Sequence, residues 1–186
     1  MNATGKQQTT CFGDVVANLL SQLGIPADYG KRHQLKLQEE CRTLVTIGAD
    51  IFEREQKMAP AAARAWFMMK ESAGDDGIDL QVVSAFRPVD YQAAIIMKKL
   101  DSGQCIEDVL KVSAAPGYSE HHSGRALDIT CPGYVPLEEE FEASPAFNWL
   151  IENAQRFNFV LSYPRDNPHG VAYEPWHWCW HKAAER

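Results

Sequence analysis

The residues of this chain best suited to chemistry fall in two short stretches. Residues 119–128 read Ser-Glu-His-His-Ser-Gly-Arg-Ala-Leu-Asp, and residues 174–177 read Glu-Pro-Trp-His. Together they offer two imidazoles and one carboxylate as metal ligands, with a glutamate to spare. Three protein ligands with a fourth position open to water is the pattern of catalytic zinc; structural zinc closes all four positions. A glutamate beside the metal that is not itself a ligand is what a zinc-water hydrolase uses as its base.

Spacing sharpens this reading. His121 and Asp128 are seven apart, which does not put them together on one helix face. It suits a loop residue and a strand residue folded onto each other, with Gly124 permitting a tight turn. An ordinary polar loop also contains such pairs. Glu174 and His177 are three apart, and Pro175 with the aromatic run favours an extended segment. A strand would send them to opposite faces, so a turn or bulge must bring both to one centre. The plainer alternative is that Trp176, Trp178 and Trp180 alternate into a core while Glu174 is a surface acid. The two stretches together favour the metal.

Positioning these groups needs a scaffold of helices and short strands. Asp14 is placed to cap a helix through residue 23, with Val15, Val16, Leu19, Leu20 and Leu23 on one face. Residues 27–41 are polar and ambiguous. Residues 44–48 read as a short buried strand. Pro60 starts an Ala- and Met-rich helix that closes at Gly74. Residues 79–84 are a β-branched second strand. Pro88 opens a third helix to residue 100, with Tyr91, Ile95, Ile96 and Leu100 as its apolar face. A short helix over 105–112 and a loop over 114–123 follow. Residues 125–129 have strand character. Ser144-Pro145 opens a helix through residue 157, with Phe147, Leu150, Ile151 and Ala154 inward. Strands over 160–163 and 176–180 flank a Pro- and Gly-bearing loop. This order predicts an α+β fold in which helices pack on a central antiparallel sheet.

At 186 residues the chain fits one domain, or one domain with an N-terminal extension. The division expected is a helical extension over 1–42 and a catalytic domain over 43–186, with polar residues 1–10 frayed. A net charge of −7 excludes a global basic field for nucleic acid. Cys11, Cys41, Cys105, Cys131 and Cys179 are scattered and form no CxxC pair. That argues against a zinc ribbon and a full disulfide framework, with one or two bridges left open. No apolar run is long enough for a bilayer. The N-terminus lacks the apolar region of a Sec signal. The expectation is a cytoplasmic protein, one exported by a non-Sec route, or a periplasmic one whose leader is missing from the chain.

Read as SxHxxGxAxD followed by ExWH, the two stretches resemble the LAS metallopeptidases, and within them the VanY-type D-alanyl-D-alanine carboxypeptidases. A third element, Ser84-x-x-Arg87 with Gln92 five residues on, stands upstream in the matching order. The resemblance spans roughly residues 58–182 and implies a LAS/hedgehog-like peptidase core. It implies that His121, Asp128 and His177 hold one catalytic Zn2+ and that Glu174 is the general base. Arg87 would act on the scissile carbonyl or anchor a carboxylate, although an arginine before a proline at a helix start is also a common surface ion-pair residue. Gln92 and Ser119 would donate to the substrate's terminal carboxylate. Ala85, Phe86 and Pro88 replace the family's usual Gly, Tyr and Ser, and Cys179 stands where an Arg is common. His122 could support the ligands from behind; His122, His169 and His181 otherwise read as surface or packing residues.

The resemblance implies a zinc-dependent peptidoglycan D-alanyl-D-alanine carboxypeptidase that removes the terminal D-Ala from stem peptides. The alternatives it leaves are an L,D-carboxypeptidase, a peptidoglycan endopeptidase, and a non-catalytic cell-wall-binding module. The partners implied are peptidoglycan stem peptides, with no nucleic acid and no membrane span. Oligomeric state stays open.

Overall fold

The structure is a computed structural model that describes residues 11–182. The polar start expected to fray lies outside the described residues. Helices α1 (Phe12–Gln22) and α2 (Tyr29–Arg32) lead into a hairpin of β1 (Val45–Ala49) and β2 (Glu55–Met58). Helix α3 (Pro60–Asp75), strand β3 (Gln81–Ser84), helix α4 (Val89–Asp101) and the short α5 (Ile106–Val109) follow. A 3-10 turn (Glu120–Ser123) precedes β4 (Ala126–Thr130). Helix α6 (Pro145–Asn153), β5 (Phe159–Leu161) and β6 (His177–Trp180) complete the described chain. The main sheet has the order β3-β4-β6-β5, every neighbour antiparallel. This is the expected α+β architecture, and no described helix is long and apolar enough to cross a membrane.

The sheet divides labour between its faces. Side chains alternate along a strand, so Leu127 and Ile129 of β4 and Trp178 of β6 enter one large core with Trp66 and Met69 of α3 and Leu150 of α6. Alanines at 62, 63 and 73 let α3 approach closely, and all three are buried. The opposite alternation sends Asp128, His177 and Cys179 to the other face. Ser144 caps α6 by accepting the Phe147 N–H at 2.9 Å.

A second apolar cluster lies outside the sheet. Val16 and Leu20 of α1, with Leu23, Ile25 and Tyr29, pack on Val89, Ala93 and Ile96 of α4 and Val109 of α5. Beyond α2 the chain runs as a strap: Gln38 N–H donates to Gly117 O at 2.7 Å and Cys41 N–H to His122 O at 2.8 Å. Glu40 Oε1 accepts the Val89 N–H at 2.6 Å at the start of α4.

Several local expectations are corrected. The strand expected to be buried at 44–48 is an exposed hairpin strand of which only Ile47 is buried. Its partner β2, Glu-Gln-Lys-Met, lacks any apolar alternation that would announce a strand. On α4 the inward face is Val89, Gln92, Ala93 and Ile96, and Tyr91 is 54% exposed. On α6 Trp149 is buried and Ile151 is exposed. Val15 of α1 is exposed as well. The helix expected to reach residue 157 gives way to a 3-10 turn (Ala154–Phe157) closed by Asn158 at φ 65°. Helix α3 passes through Gly74 and ends before Gly77, whose φ is 77°. All five cysteines are free.

Candidate active site

Three strands bring the candidate ligands into register. Ser84 of β3 pairs with Asp128 of β4, and Asp128 pairs with His177 of β6. His121 arrives from the 3-10 turn, which closes at Gly124 with φ 67°. A Cβ at Gly124 would come within 2.9 Å of the Ala59 backbone nitrogen, so the turn needs glycine for space as well as for its left-handed backbone. The extended run expected around Glu174 does turn: His177 N–H donates to Glu174 O at 3.1 Å.

His121, Asp128 and His177 are all buried, and their ligand atoms lie within 4.8 Å of one another. His121 Nε2 is 3.2 Å from Asp128 Oδ2, and His177 Nδ1 is 3.0 Å from Asp128 Oδ1. Ligands ~2.1 Å from a tetrahedral zinc sit about 3.4 Å apart, so a zinc ion fits this group with little adjustment. Each imidazole is oriented from behind. His121 Nδ1 pairs with Ala85 O at 2.6 Å, leaving Nε2 for the centre. His177 Nε2 pairs with Glu120 Oε2 at 2.9 Å, leaving Nδ1. Such outer partners set the tautomer and raise the basicity of a metal-binding histidine.

Electrostatics agree with that fit. Burial opposes charge on Asp128, yet His121 and His177 outweigh it and hold the carboxyl well below the usual carboxylate range. Burial also opposes a charged His177, yet the bonds to Asp128 and Glu120 raise it to about 10. The ring thus carries the positive charge that the surrounding carboxylates demand; a divalent cation would release that proton. Glu120 is held down at about 2, burial being overcome by His177 and the Ser162 hydroxyl, which donates to Oε2 at 2.6 Å.

Glu174 is different. Its Oε2 stays 3.9 Å from His177 Nδ1, and burial, then the charges of Asp128 and Glu120, push it up to about 7 against the pull of His177 and Arg87. Arg87 donates from one terminal nitrogen to Gln92 Oε1 at 2.9 Å and from the other to Ser84 Oγ at 3.0 Å. The latter nitrogen is 3.8 Å from Asp128 Oδ2. Gln92 is almost fully buried and donates in turn to Ala114 O at 2.8 Å. Glu174, Arg87 and Gln92, with Ser119 and the three candidate ligands, line one cavity of about 390 Å³. The structure therefore brings the seven candidate site residues, His121, Asp128, His177, Glu174, Arg87, Gln92 and Ser119, to one cavity.

The other histidines lie behind or away from the cavity. His122 is fully buried; its Nδ1 donates to Arg87 O at 2.6 Å and its Nε2 accepts the Gly117 N–H at 3.2 Å. It ties the Arg87 loop to the His121 turn. His169 and His33 each pair a ring Nδ1 with the other's backbone oxygen, fastening the 164–170 loop to α2. His181 joins Glu120 and Cys179 in a second cluster of potential ligands. Glu120 is committed there to His177 and Ser162, and burial and then Glu120 push the Cys179 thiol up, so this cluster reads as the backing of His177. Sequence reasoning missed Glu120, Lys99 and Tyr163, the last of which tilts over His177 with ring centroids 4.9 Å apart. Glu120 sits beside a predicted ligand, yet no spacing rule links position 120 to 177.

A buried two-histidine, one-aspartate group on an antiparallel sheet, with Glu174 over the same cavity, is the arrangement that the resemblance to the LAS metallopeptidases implied. Residues 55–183 match the family model described as VanY, D-alanyl-D-alanine carboxypeptidase. The chain belongs to that family. A D-alanyl-D-alanine carboxypeptidase of Enterococcus faecalis is 33% identical over 118 residues, which covers 58% of this chain and 42% of that protein. This chain thus spans under half the length of that relative. Among solved structures, the LdcB LD-carboxypeptidase aligns with a TM-score of 0.69 at 30% identity, over 76% of this chain and 69% of that one. A vancomycin-resistance D,D-pentapeptidase VanY in complex with Zn(II) aligns with a TM-score of 0.56 at 26% identity, over 84% of this chain and 82% of that one.

Proposed function

We propose that this chain is a zinc-dependent D-alanyl-D-alanine carboxypeptidase that removes the terminal D-Ala from peptidoglycan stem peptides. The observation that carries the reading is the convergence of His121, Asp128, His177, Glu174 and Arg87 on one cavity. His121 Nε2, an Asp128 carboxylate oxygen and His177 Nδ1 would hold the metal. When bound there, Zn2+ supplies polarisation of the scissile carbonyl and a lowered pKa for water, towards about 7.

The chain's own residues carry the remaining steps. Glu174 takes a proton from the attacking water as the new C–O bond forms, and its raised pKa suits that task near neutrality. It then returns the proton to the departing amine as the C–N bond breaks, releasing D-alanine and a stem peptide one residue shorter. Arg87, fixed by Gln92 and Ser84, presents its charge beside Asp128, where negative charge grows on the carbonyl oxygen. Ser119 and the second amide hydrogen of Gln92 are neutral donors to the substrate's terminal carboxylate. Described residues 43–182 carry this centre, and residues 11–42 brace it through the contacts of α1 and the strap.

A second reading, L,D-carboxypeptidase action on tetrapeptide stems, is favoured by the alignment with the LdcB LD-carboxypeptidase. Mass spectrometry of products from pentapeptide, tetrapeptide and cross-linked muropeptides separates the two. Loss of one D-Ala from the pentapeptide alone, absent in Glu174→Gln, is the expected result. Cleavage of the tetrapeptide alone would replace the first reading with the second.

A further inference from the structure

An exopeptidase has to read a free C-terminal carboxylate, and the charge nearest the candidate ligands, that of Arg87, already faces Asp128 at 3.8 Å. Arg87 spends one N–H of each terminal nitrogen on Gln92 Oε1 and Ser84 Oγ, which fixes it on that side of the cavity. The cavity holds one further cationic side chain, Lys99, which sequence reasoning passed over. Positions 92, 95 and 99 of α4 share a helix face, and Gln92, Ile95 and Lys99 all line the cavity. Ile95 lies between the two polar groups as an apolar step.

Lys99 is held rather than loose. Its Nζ donates to Ser113 Oγ at 2.9 Å, and the next residue, Ala114, gives its carbonyl to Gln92 Nε2 at 2.8 Å. Two side chains of one helix thus pin the same wall segment. Among the described residues no carboxylate forms an ion pair with Lys99, although the ammonium feels both Arg87 and Glu174 across the cavity. Burial and then the Arg87 charge disfavour its protonated form. An anion docked beside it would favour the protonated form and offset both effects.

We propose that Lys99 is the charged anchor for the substrate's C-terminal carboxylate, and so the residue that makes this site select peptides with a free C-terminus. Gln92 and Ser119 add neutral hydrogen bonds, while Arg87 is left to the scissile carbonyl. The assignment rests on the carboxypeptidase reading above and assigns the part of the substrate that Lys99 would read. A charge-assisted hydrogen bond in a partly buried cavity corresponds to roughly 10- to 100-fold in affinity.

The test is equilibrium binding in zinc-loaded Glu174→Gln protein, where no turnover obscures affinity. The probes are an N-acetylated tripeptide ending in D-Ala-D-Ala and the same peptide as its C-terminal carboxamide, measured by calorimetry. Glu174→Gln should prefer the free acid by tenfold or more. Adding Lys99→Met should remove that preference with little change in amide binding, and adding Lys99→Arg should keep most of it. A preference that survives Lys99→Met overturns the proposal, as does a Lys99→Met variant that loses acid and amide equally, since that marks a structural role. If Glu174→Gln protein binds neither peptide, the substrate reading fails and the anchor falls with it.

Discussion

Glu120 and His177 meet through a 2.9 Å hydrogen bond that the ring Nε2–H donates to Oε2, on the side of the ring away from Asp128. The carboxylate is itself fixed by Ser162. This chain of contacts orients the imidazole before any metal arrives. Glu120→Ala should weaken zinc binding by about 10- to 100-fold, read by competition with a chromogenic chelator. Unchanged affinity would show that the strand pairing of β4 and β6 alone sets the ring.

Glu174→Gln keeps the volume of the side chain and removes its proton acceptor. Zinc stoichiometry should stay at about one per chain while turnover falls by roughly 10²- to 10⁴-fold. A binding module would instead retain its function in the same variant.

In the proposed reaction the working form of Glu174 is the carboxylate. Its pKa is pushed up to about 7, chiefly by burial, so kcat/KM should fall as pH drops and the group takes up a proton. A bound cation favours the charged form and moves that acid limb to pH 7 or below. A pH–rate profile of the zinc enzyme checks this. A limb lying well above pH 7 would assign it to another group.

Gly124→Ala adds a methyl at a left-handed position and within 2.9 Å of the Ala59 nitrogen. The cost should exceed about 1 kcal/mol, and the turn carrying His121 must shift. Thermal unfolding and zinc affinity should therefore drop together. Loss of stability with full affinity would show that His121 tolerates the shift.

Asp50 offers a pH test at a carboxylate outside the candidate ligand group. Its carboxylate accepts the Phe52 and Arg54 N–H groups, the Arg54 side chain at 2.7 Å and Gln56 Nε2 at 2.7 Å. Burial opposes its charge, but these bonds outweigh burial and lower its pKa. Below the ordinary value of about 3.9 the unfolded chain binds the proton first. Stability from this group is therefore complete above that pH and is lost as pH falls through the lower folded value. Urea unfolding at pH 7 and pH 3 should show that loss, and Asp50→Asn should flatten it while costing about 1–3 kcal/mol at pH 7.

Much of the centre was legible because its ligands sit in short stretches whose glycine and proline dictate turns. Gly124 and the Glu174–His177 turn behaved as those residue types require. Lys99 and Glu120 were not legible, since their meaning depends on tertiary neighbours 14 and 57 residues away, Ser113 and His177. Helix faces misled where two apolar clusters compete: α4 turns Gln92 inward towards Arg87 and leaves Tyr91 outside. Strand β2 escaped because its side chains are mostly exposed and polar, so its pairing rests on backbone bonds rather than on apolar alternation.

Strand β6 lies inside the main sheet, between β4 and β5, although it is the last strand described along the chain. Asp128 leaves the ribosome 49 residues ahead of its partner His177. Pairings between such distant residues form slowly. A nascent chain that has not reached residue 177 holds two of the three ligands and lacks the turn that presents Glu174. The three-residue group is therefore complete only once residue 177 has emerged and β6 fills the gap between β4 and β5.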